Sequence, residues 1–153
     1  MQPNWTPPLL NAHDGPLLQE QYFPDRWKML ICCVLLNLTS RKQVEPMLKD
    51  FFLAYPDPDT LAAACDDQLK LMIKPLGMSN KRSKTLKRFS SEYLEGKWAK
   101  AIDLHGIGKY GSDSDRIFFL GQWRDVNPKD GALVYYKNFL LGYFSEQDEK
   151  LAV

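Results

Sequence analysis

The chain has 153 residues, of which 44% are hydrophobic and 25% are charged. These values are typical of one globular domain with a core of ordinary size, and they exclude a disordered chain. The formal net charge of +1 leaves nucleic-acid binding open, because a DNA-binding protein can place its basic residues on one face.

The first 20 residues are rich in proline. Pro3, Pro7, Pro8 and Pro16 fix φ and remove backbone donors, so this segment is predicted to be extended rather than helical. Gln19 falls at the end of this arm, where a linker glutamine is ordinarily exposed. The residues alone therefore favour an exposed side chain for Gln19.

A nearly unbroken apolar segment follows the arm. Asp25 can cap a helix over residues 26 to about 36, and its apolar character predicts the central buried helix of the fold. Cys32 and Cys33 lie inside it, which suits buried thiols in a reducing compartment. The longest apolar run, residues 29–36, is far too short to span a bilayer. The sequence has no C-x2-C pair, so no metal site is predicted.

The remaining helices are predicted from capping residues and from the spacing of apolar residues. Thr39 and Ser40 open a helix that continues to about Tyr55, and Ser79 caps a helix that ends before Gly96. Other helices are predicted over residues 57–64, 66–73, 109–123 and 128–144. No segment alternates polar and apolar residues with a period of two, so the predicted fold class is all-α.

The helix over residues 79–95 carries the densest basic cluster of the chain. Lys81, Arg82 and Lys84 lie in its first half. Such clusters are usually solvated faces. This one directly precedes a glycine-containing turn, from which it would reach phosphate groups, so both interpretations stand.

The turn itself runs Leu-His-Gly-Ile-Gly-Lys-Tyr-Gly over residues 104–111. Gly106 and Gly108 suit a tight hairpin between two helices, because glycine tolerates positive φ and close backbone approach. Backbone amides after such a turn point outward at a helix start, where the macrodipole favours an anion. His105 and Lys109 flank the glycines. The segment therefore predicts a phosphate-binding hairpin.

A second helix start lies about 20 residues further on, at Asn127-Pro128-Lys129-Asp130. A carboxylate at a helix start stays ionised, because the amides and the dipole favour the charged form. Taken alone, Asp130 is more commonly a surface residue that compensates the helix dipole, and the alternative is a catalytic carboxylate. Asp113 and Asp115 are predicted to be first-turn acids of the helix after the hairpin, without a catalytic role.

Four segments in this order resemble the helix-hairpin-helix DNA glycosylase superfamily. They are residues 36–40 (Leu-Asn-Leu-Thr-Ser), 74–77 (Lys-Pro-Leu-Gly), 104–111 and 127–130. Within the superfamily, residues 14–145 resemble the glycosylase domain of the methyl-CpG-binding-domain thymine DNA glycosylases. The resemblance implies an all-α fold with a DNA-binding cleft between helical lobes, preceded by an extended arm over residues 1–13 and followed by a flexible tail over 146–153.

The same resemblance implies roles for single residues. Asp130 would be catalytic, and Gln19 and Tyr110 would bind the extruded pyrimidine. Residues 37–40 would form the loop that fills the gap left by the flipped nucleotide. Leu38 stands where relatives often carry Arg, and the alternative for Leu38 is a core residue at a helix end. The implied DNA contacts are Leu38, Thr39, Ser40, Met78, Lys81, Arg82, Lys84, His105, Gly106, Gly108 and Lys109, with Met78 beside the guanine of the opposite strand.

The implied reaction is removal of thymine or uracil opposite guanine from double-stranded DNA. Some superfamily members carry a Schiff-base Lys where this chain has Tyr110, so a monofunctional enzyme is expected. The chain lacks the four cysteines that hold an iron–sulfur cluster in some relatives, and no cofactor is expected. The resemblance further implies a nuclear monomer that does not bind membranes. Two alternatives remain: a glycosylase for adenine or alkylated purines, and a DNA-binding module without chemistry.

Overall fold

A computed structural model describes residues 2–10 and 16–152, and every regular element in these ranges is helical. This confirms the predicted all-α fold. The α-helices are α1 (Leu18–Tyr22), α2 (Arg26–Leu35), α3 (Arg41–Ala54), α4 (Pro58–Ala62), α5 (Asp66–Ile73), α6 (Ser79–Glu95), α7 (Lys109–Ser114) and α8 (Gly131–Ala152). In the described ranges, no helix combines the length and the apolar character needed to cross a bilayer.

The helices enclose two hydrophobic clusters that meet at α2. One face of α2, including Leu30, packs with Phe51 of α3 and Phe89 of α6. Met29 belongs instead to the second cluster, which contains Tyr136 of α8 and the residues that follow α7. Since α2 is buried on both sides, its near-continuous apolar sequence follows from its central position, as predicted. The two clusters define two lobes.

The N-terminal arm docks on the second lobe. Trp5 Nε1 donates a hydrogen bond to the carbonyl oxygen of Phe118 at 3.1 Å, and the Tyr136 hydroxyl donates one to the carbonyl of Pro8 at 2.6 Å. The Leu10 amide donates to the carboxylate of Glu20 at 2.8 Å. Proline-rich residues 2–10 are therefore held by hydrogen bonds at three points. The predicted boundary at residues 13 and 14 lies outside the described residues.

The first correction to the sequence predictions concerns residues 18–22. They form α1, where an extended segment was expected up to about residue 20. Glu20 accepts a hydrogen bond from the Leu17 amide at 2.6 Å and so satisfies a donor at the helix start. The turn buries Leu18 and Gln19, each with 2% of its surface exposed. The interpretation of Gln19 as an exposed linker residue is therefore wrong.

The segment after the hairpin also differs from the predicted straight helix over 109–123. α7 ends at Ser114 and continues as one π-helical turn, Asp115–Phe119, in which the Leu120 amide donates to the Asp115 carbonyl at 3.0 Å. The wider turn buries three consecutive side chains from Ile117 to Phe119, whereas Leu120 is 38% exposed. The i to i+5 hydrogen bond has no distinctive sequence signature, which explains the difference.

The final helix starts later and ends later than predicted. Residues 127–129 are not helical, and α8 begins at Gly131. Asp130 is its cap, because its Oδ2 accepts from the Leu133 amide at 3.1 Å and its carbonyl accepts from the Val134 amide at 2.9 Å. α8 continues past the predicted end at Phe144 to Ala152.

Candidate active site

The glycine-containing turn forms a hairpin between α6 and α7. The Ile107 amide donates to the Leu104 carbonyl at 3.2 Å, which closes the turn. Gly106 has a φ of +89°, and a Cβ there would lie 2.7 Å from Thr85 Cγ2. Both the backbone conformation and the proximity of α6 therefore require glycine at position 106.

Gly108 has a different role from Gly106. Its φ is −106°, and a Cβ would meet no heavy atom within 4 Å. Within the described part of the chain, the amides of Gly108, Lys109 and Tyr110 donate no hydrogen bond. The His105 amide, in contrast, donates to Glu92 Oε1 at 2.9 Å. The open side of the hairpin thus offers consecutive free donors, which is the arrangement predicted for a phosphate.

A cleft of about 440 Å³ opens beside the hairpin, where the two lobes meet. Its walls come from the start of α1, the end of α2 with the loop after it, the hairpin and the start of α8. Gln19, Leu38, Tyr110 and Asp130 all line this cleft, together with both hairpin glycines. Residues that lie up to 111 positions apart in the chain are therefore assembled in one concave site.

Gln19 and Tyr110 are joined directly in the cleft. Gln19 Nε2 donates to the Tyr110 hydroxyl oxygen at 2.7 Å and to Ser114 Oγ at 3.1 Å. Both protons of the amide nitrogen are engaged, so Gln19 presents its carbonyl oxygen as an acceptor. Burial raises the pKa of the Tyr110 phenol above its ordinary value, so Tyr110 keeps its proton at neutral pH and remains a donor.

Cys33 forms part of the cleft wall and is also buried. Burial raises the pKa of the Cys33 thiol to about 12, while a hydrogen bond with Ser114 opposes this effect. The thiol is therefore protonated at neutral pH and is a poor nucleophile. In the described part of the chain, no cluster of three His, Cys, Asp or Glu side chains could hold a metal ion.

Asp130 combines exposure with a fixed position. Its side chain is exposed at the cleft, and one carboxylate oxygen, Oδ2, caps α8 through the Leu133 amide. The hydrogen bond fixes the carboxylate at the helix start and leaves the second oxygen available to a ligand. The proximity of Asp130 contributes to the raised pKa values of Cys33 and Tyr110. A carboxylate held in this way can stabilise a nearby cation or orient a water molecule.

Lys109 lines the cleft, but its ammonium group is engaged. Lys109 Nζ donates to Asp113 Oδ2 at 2.7 Å and to the Asn127 carbonyl at 2.9 Å. The second contact connects the hairpin to the segment that leads to Asp130. Asp113 was predicted as a first-turn acid, but it lies in the second turn of α7 and is the ion-pair partner of Lys109.

The predicted gap-filling loop has two kinds of residue. Leu38 is 82% exposed, so its interpretation as a core residue at a helix end is wrong. Thr39 Oγ1 donates to the Leu35 carbonyl at 2.6 Å, and Ser40 caps α3. Thr39 and Ser40 thus hold the loop in place through the helices on either side, and Leu38 projects from it. Met78, after Gly77, is likewise 51% exposed.

The basic residues of α6 separate into two groups. Lys81 and Lys84 are exposed, as a phosphate-binding role requires. Arg82 is half-buried, and its guanidinium donates to the carbonyls of Asn37 and Gly77, both at 2.9 Å. Arg82 therefore has a different environment from Lys81 and Lys84, although the three residues are close in the sequence.

Three residues of the site were not predicted from the sequence. Ser114 lies four residues after Tyr110, and Asp113 lies four residues after Lys109, so the i, i+4 spacing on one helix was the available signal. Cys33 was predicted as a buried thiol of α2, and nothing in its local sequence indicates that it borders a cleft. Asp115 is also buried, and it pairs with Arg26 outside the cleft.

Comparison with known proteins decides the family. The model of the HhH-GPD superfamily base excision DNA repair proteins matches residues 31–143. The chain belongs to this superfamily. Membership confirms the predicted helix-hairpin-helix glycosylase fold.

Three curated proteins match the chain over different lengths. A methyl-CpG-binding domain protein 4-like protein of Arabidopsis thaliana is 39% identical over 136 residues, which are 89% of the chain and 30% of that protein. A thymine-DNA glycosylase of Aeropyrum pernix is 31% identical over 94 residues, 56% of the chain and 42% of that protein. A thymine/uracil-DNA glycosylase of Pyrobaculum aerophilum is 40% identical over 70 residues, 46% and 30% respectively. The chain thus spans less than half the length of these relatives.

A solved structure, that of a thermostable thymine-DNA glycosylase, shares the fold. It superposes with a TM-score of 0.60 at 24% sequence identity, over 66% of this chain and 50% of the other. The HhH-GPD domain therefore has the architecture of that protein.

Proposed function

We propose that this HhH-GPD domain is a monofunctional, mismatch-specific DNA glycosylase that removes thymine or uracil opposite guanine. The observation that carries the proposal is the joining of Gln19 and Tyr110 in the cleft that also contains Asp130. Two of its relatives, a thymine-DNA glycosylase and a thymine/uracil-DNA glycosylase, support the choice of base.

Base selection follows from the hydrogen-bonding groups that remain free. Thymine and uracil carry an N3–H donor between two carbonyl acceptors. The Gln19 carbonyl oxygen accepts from N3–H, and the Tyr110 phenol donates to a base carbonyl. Cytosine has an unprotonated N3, which would face the Gln19 oxygen as a second acceptor and leave a buried polar group unpaired. The pocket therefore favours the deamination products over cytosine.

Bond cleavage requires stabilisation of a cationic sugar. As the base leaves, positive charge develops on the deoxyribose, and the base must first be flipped out of the stack to be reached. Asp130, fixed at the edge of the cleft, stabilises this charge and orients the water that adds to C1′. The free hairpin amides bind a phosphate beside the flipped nucleotide. Leu38 enters the gap that this nucleotide leaves, as apolar wedges do in other DNA complexes.

A panel of duplexes tests the proposal. Single-turnover excision should occur at T·G and U·G sites and be at least about 100-fold slower at C·G and A·G sites, because a pocket built on hydrogen bonds strongly rejects a base that leaves them unmade. Hypoxanthine presents the same N–H and carbonyl pair as thymine on a larger ring system, so a hypoxanthine·T site tests whether the pocket also selects by size. Excision should need no cofactor. Removal of adenine or hypoxanthine, with T·G and U·G intact, would contradict the proposed base preference.

The absence of lyase activity is a separate prediction. A Schiff base requires an unprotonated amine at C1′, but Tyr110 is a phenol and the Lys109 ammonium is held by Asp113 and the Asn127 carbonyl. Reaction with a T·G duplex should leave abasic strands that break only after alkali or heat, and borohydride should trap no protein–DNA adduct. Tyr110→Lys is the converse test, and it should gain weak trapping at the cost of base recognition. An adduct with the parental protein that disappears in Lys109→Ala would refute the prediction.

A further inference from the structure

Two apolar side chains project from the protein beside the cleft, and both have an unusual backbone conformation. Leu38 has a φ of +60° and Met78 a φ of +51°, the only positive values among the described non-glycine residues. Both are more than half exposed, and both line a small cleft of about 60 Å³ between their loops. Residues other than glycine rarely adopt this backbone conformation unless the surrounding structure fixes it. Something must therefore hold these two loops.

Arg82 contacts both of these loops. Its Nη1 donates to the Asn37 carbonyl and its Nε donates to the Gly77 carbonyl, each at 2.9 Å. Its backbone amide donates to the Met78 carbonyl, also at 2.9 Å. Each side-chain acceptor is the residue immediately before one of the two projecting residues. The planar guanidinium, with donors at fixed angles, therefore bridges the two loops.

We propose that Arg82 is a positioning residue that sets the spacing between Leu38 and Met78, so that both side chains enter the duplex together when a base is flipped. This inference rests on the proposed function. A single wedge fills the gap in one strand. Two wedges at a fixed distance also engage the opposite strand beside the mismatched base, so the bridge contributes to recognition of a duplex rather than of a single strand.

The bridge assigns Arg82 a role different from that of a phosphate contact. A phosphate contact depends mainly on the positive charge, which Lys retains. A bridge depends on two N–H donors held at a fixed separation by one guanidinium. The single ammonium of Lys cannot supply two donors in that geometry. Arg82→Lys therefore separates the two roles. Arg88→Lys is the matched control, because Arg88 lies on the same helix and pairs with Glu92 at the exposed surface.

The test compares two substrates under single-turnover conditions. Arg82→Lys should slow thymine excision from a T·G duplex by about tenfold or more, since base unstacking in a duplex depends on the wedges. Uracil excision from a single-stranded oligonucleotide should be unchanged, because no opposite strand is present. Leu38→Ala should show the same pattern, and Arg88→Lys should match the parental protein on both substrates. A general loss of folding would slow both substrates equally, so equal losses would overturn the proposal, as would a parental rate for Arg82→Lys on the duplex.

A second measurement does not depend on the proposed function. Hydrogen–deuterium exchange of the free protein should show faster exchange at residues 37–40 and 77–79 in Arg82→Lys, with α2 and α6 unchanged. Unchanged exchange in these two loops would overturn the bridge. If the parental protein excises neither T·G nor U·G, the proposed function fails, and the exchange result alone then decides whether Arg82 sets the positions of the loops.

Discussion

Replacing Asp130 by Asn is expected to lower single-turnover excision from T·G and U·G duplexes by about a thousandfold. An electrostatic or general-base contribution of this kind is typically worth 10² to 10⁴ in rate. Asn is nearly isosteric with Asp and is an equally good helix cap, so it can still accept the hydrogen bond that Asp130 receives from the Leu133 amide. The substitution therefore removes the charge and leaves the start of α8 in place.

Three measurements separate chemistry from folding in this variant. Asp130→Asn should bind a T·G duplex about as well as the parental protein, because the carboxylate acts on the transition state. Its thermal unfolding should be unchanged, whereas Asp130→Ala should lose about 1 kcal/mol with the cap. Asp125→Asn, a change at an exposed acid of the preceding loop, is the matched control and should retain activity. Excision by Asp130→Asn at near the parental rate would exclude Asp130 as the catalytic acid.

The features of the site that could be predicted are those that depend on a residue's own backbone conformation or on its nearest neighbours in the sequence. Position 106 requires glycine because of its positive φ and the proximity of Thr85, and Asp130 caps the start of α8. A short sequence segment is enough to indicate each of these two local roles. Their resemblance to one family then indicates a common cleft, and the structure places Gln19, Tyr110 and Asp130 there. The catalytic, base-binding and DNA-binding roles of these residues remain predictions until the experiments above are done.

The parts that could not be predicted depend on packing between distant segments. Arg82 and Asn37 are 45 positions apart, and Arg26 and Asp115 are 89 apart. No periodicity connects such pairs, and each residue has an ordinary alternative as a solvated charge. The π-helical turn places three consecutive apolar residues in the second hydrophobic cluster, and this tertiary packing has no local periodicity. Local sequence therefore predicted the elements better than it predicted the contacts between them.

The ion pair between Asp115 and Arg26 leads to the largest expected effect on stability. The Arg26 guanidinium donates to both Asp115 oxygens, at 2.8 and 2.7 Å, and the two side chains are 9% and 1% exposed. The guanidinium also lies 4.8 Å from the ring of Trp98 and 4.5 Å from that of Phe119. Asp115 was predicted as a first-turn acid of the helix after the hairpin, but it follows the end of α7 and is the buried counter-charge of Arg26.

Asp115→Asn should lower the free energy of unfolding by about 3–5 kcal/mol, because it leaves a buried guanidinium without its counter-charge. Asp113→Asn is the matched control two residues away. Its partner Lys109 is 51% exposed, so solvent compensates the loss and the cost should stay below about 1 kcal/mol. Urea unfolding followed by circular dichroism measures both. Replacing Arg26 and Asp115 together by Met and Leu should recover much of the loss, because no unpaired charge is then buried. An Asp115→Asn variant as stable as Asp113→Asn would show that the ion pair does not stabilise the fold. If that variant were fully folded but inactive in excision, Asp115 would instead have a role in catalysis.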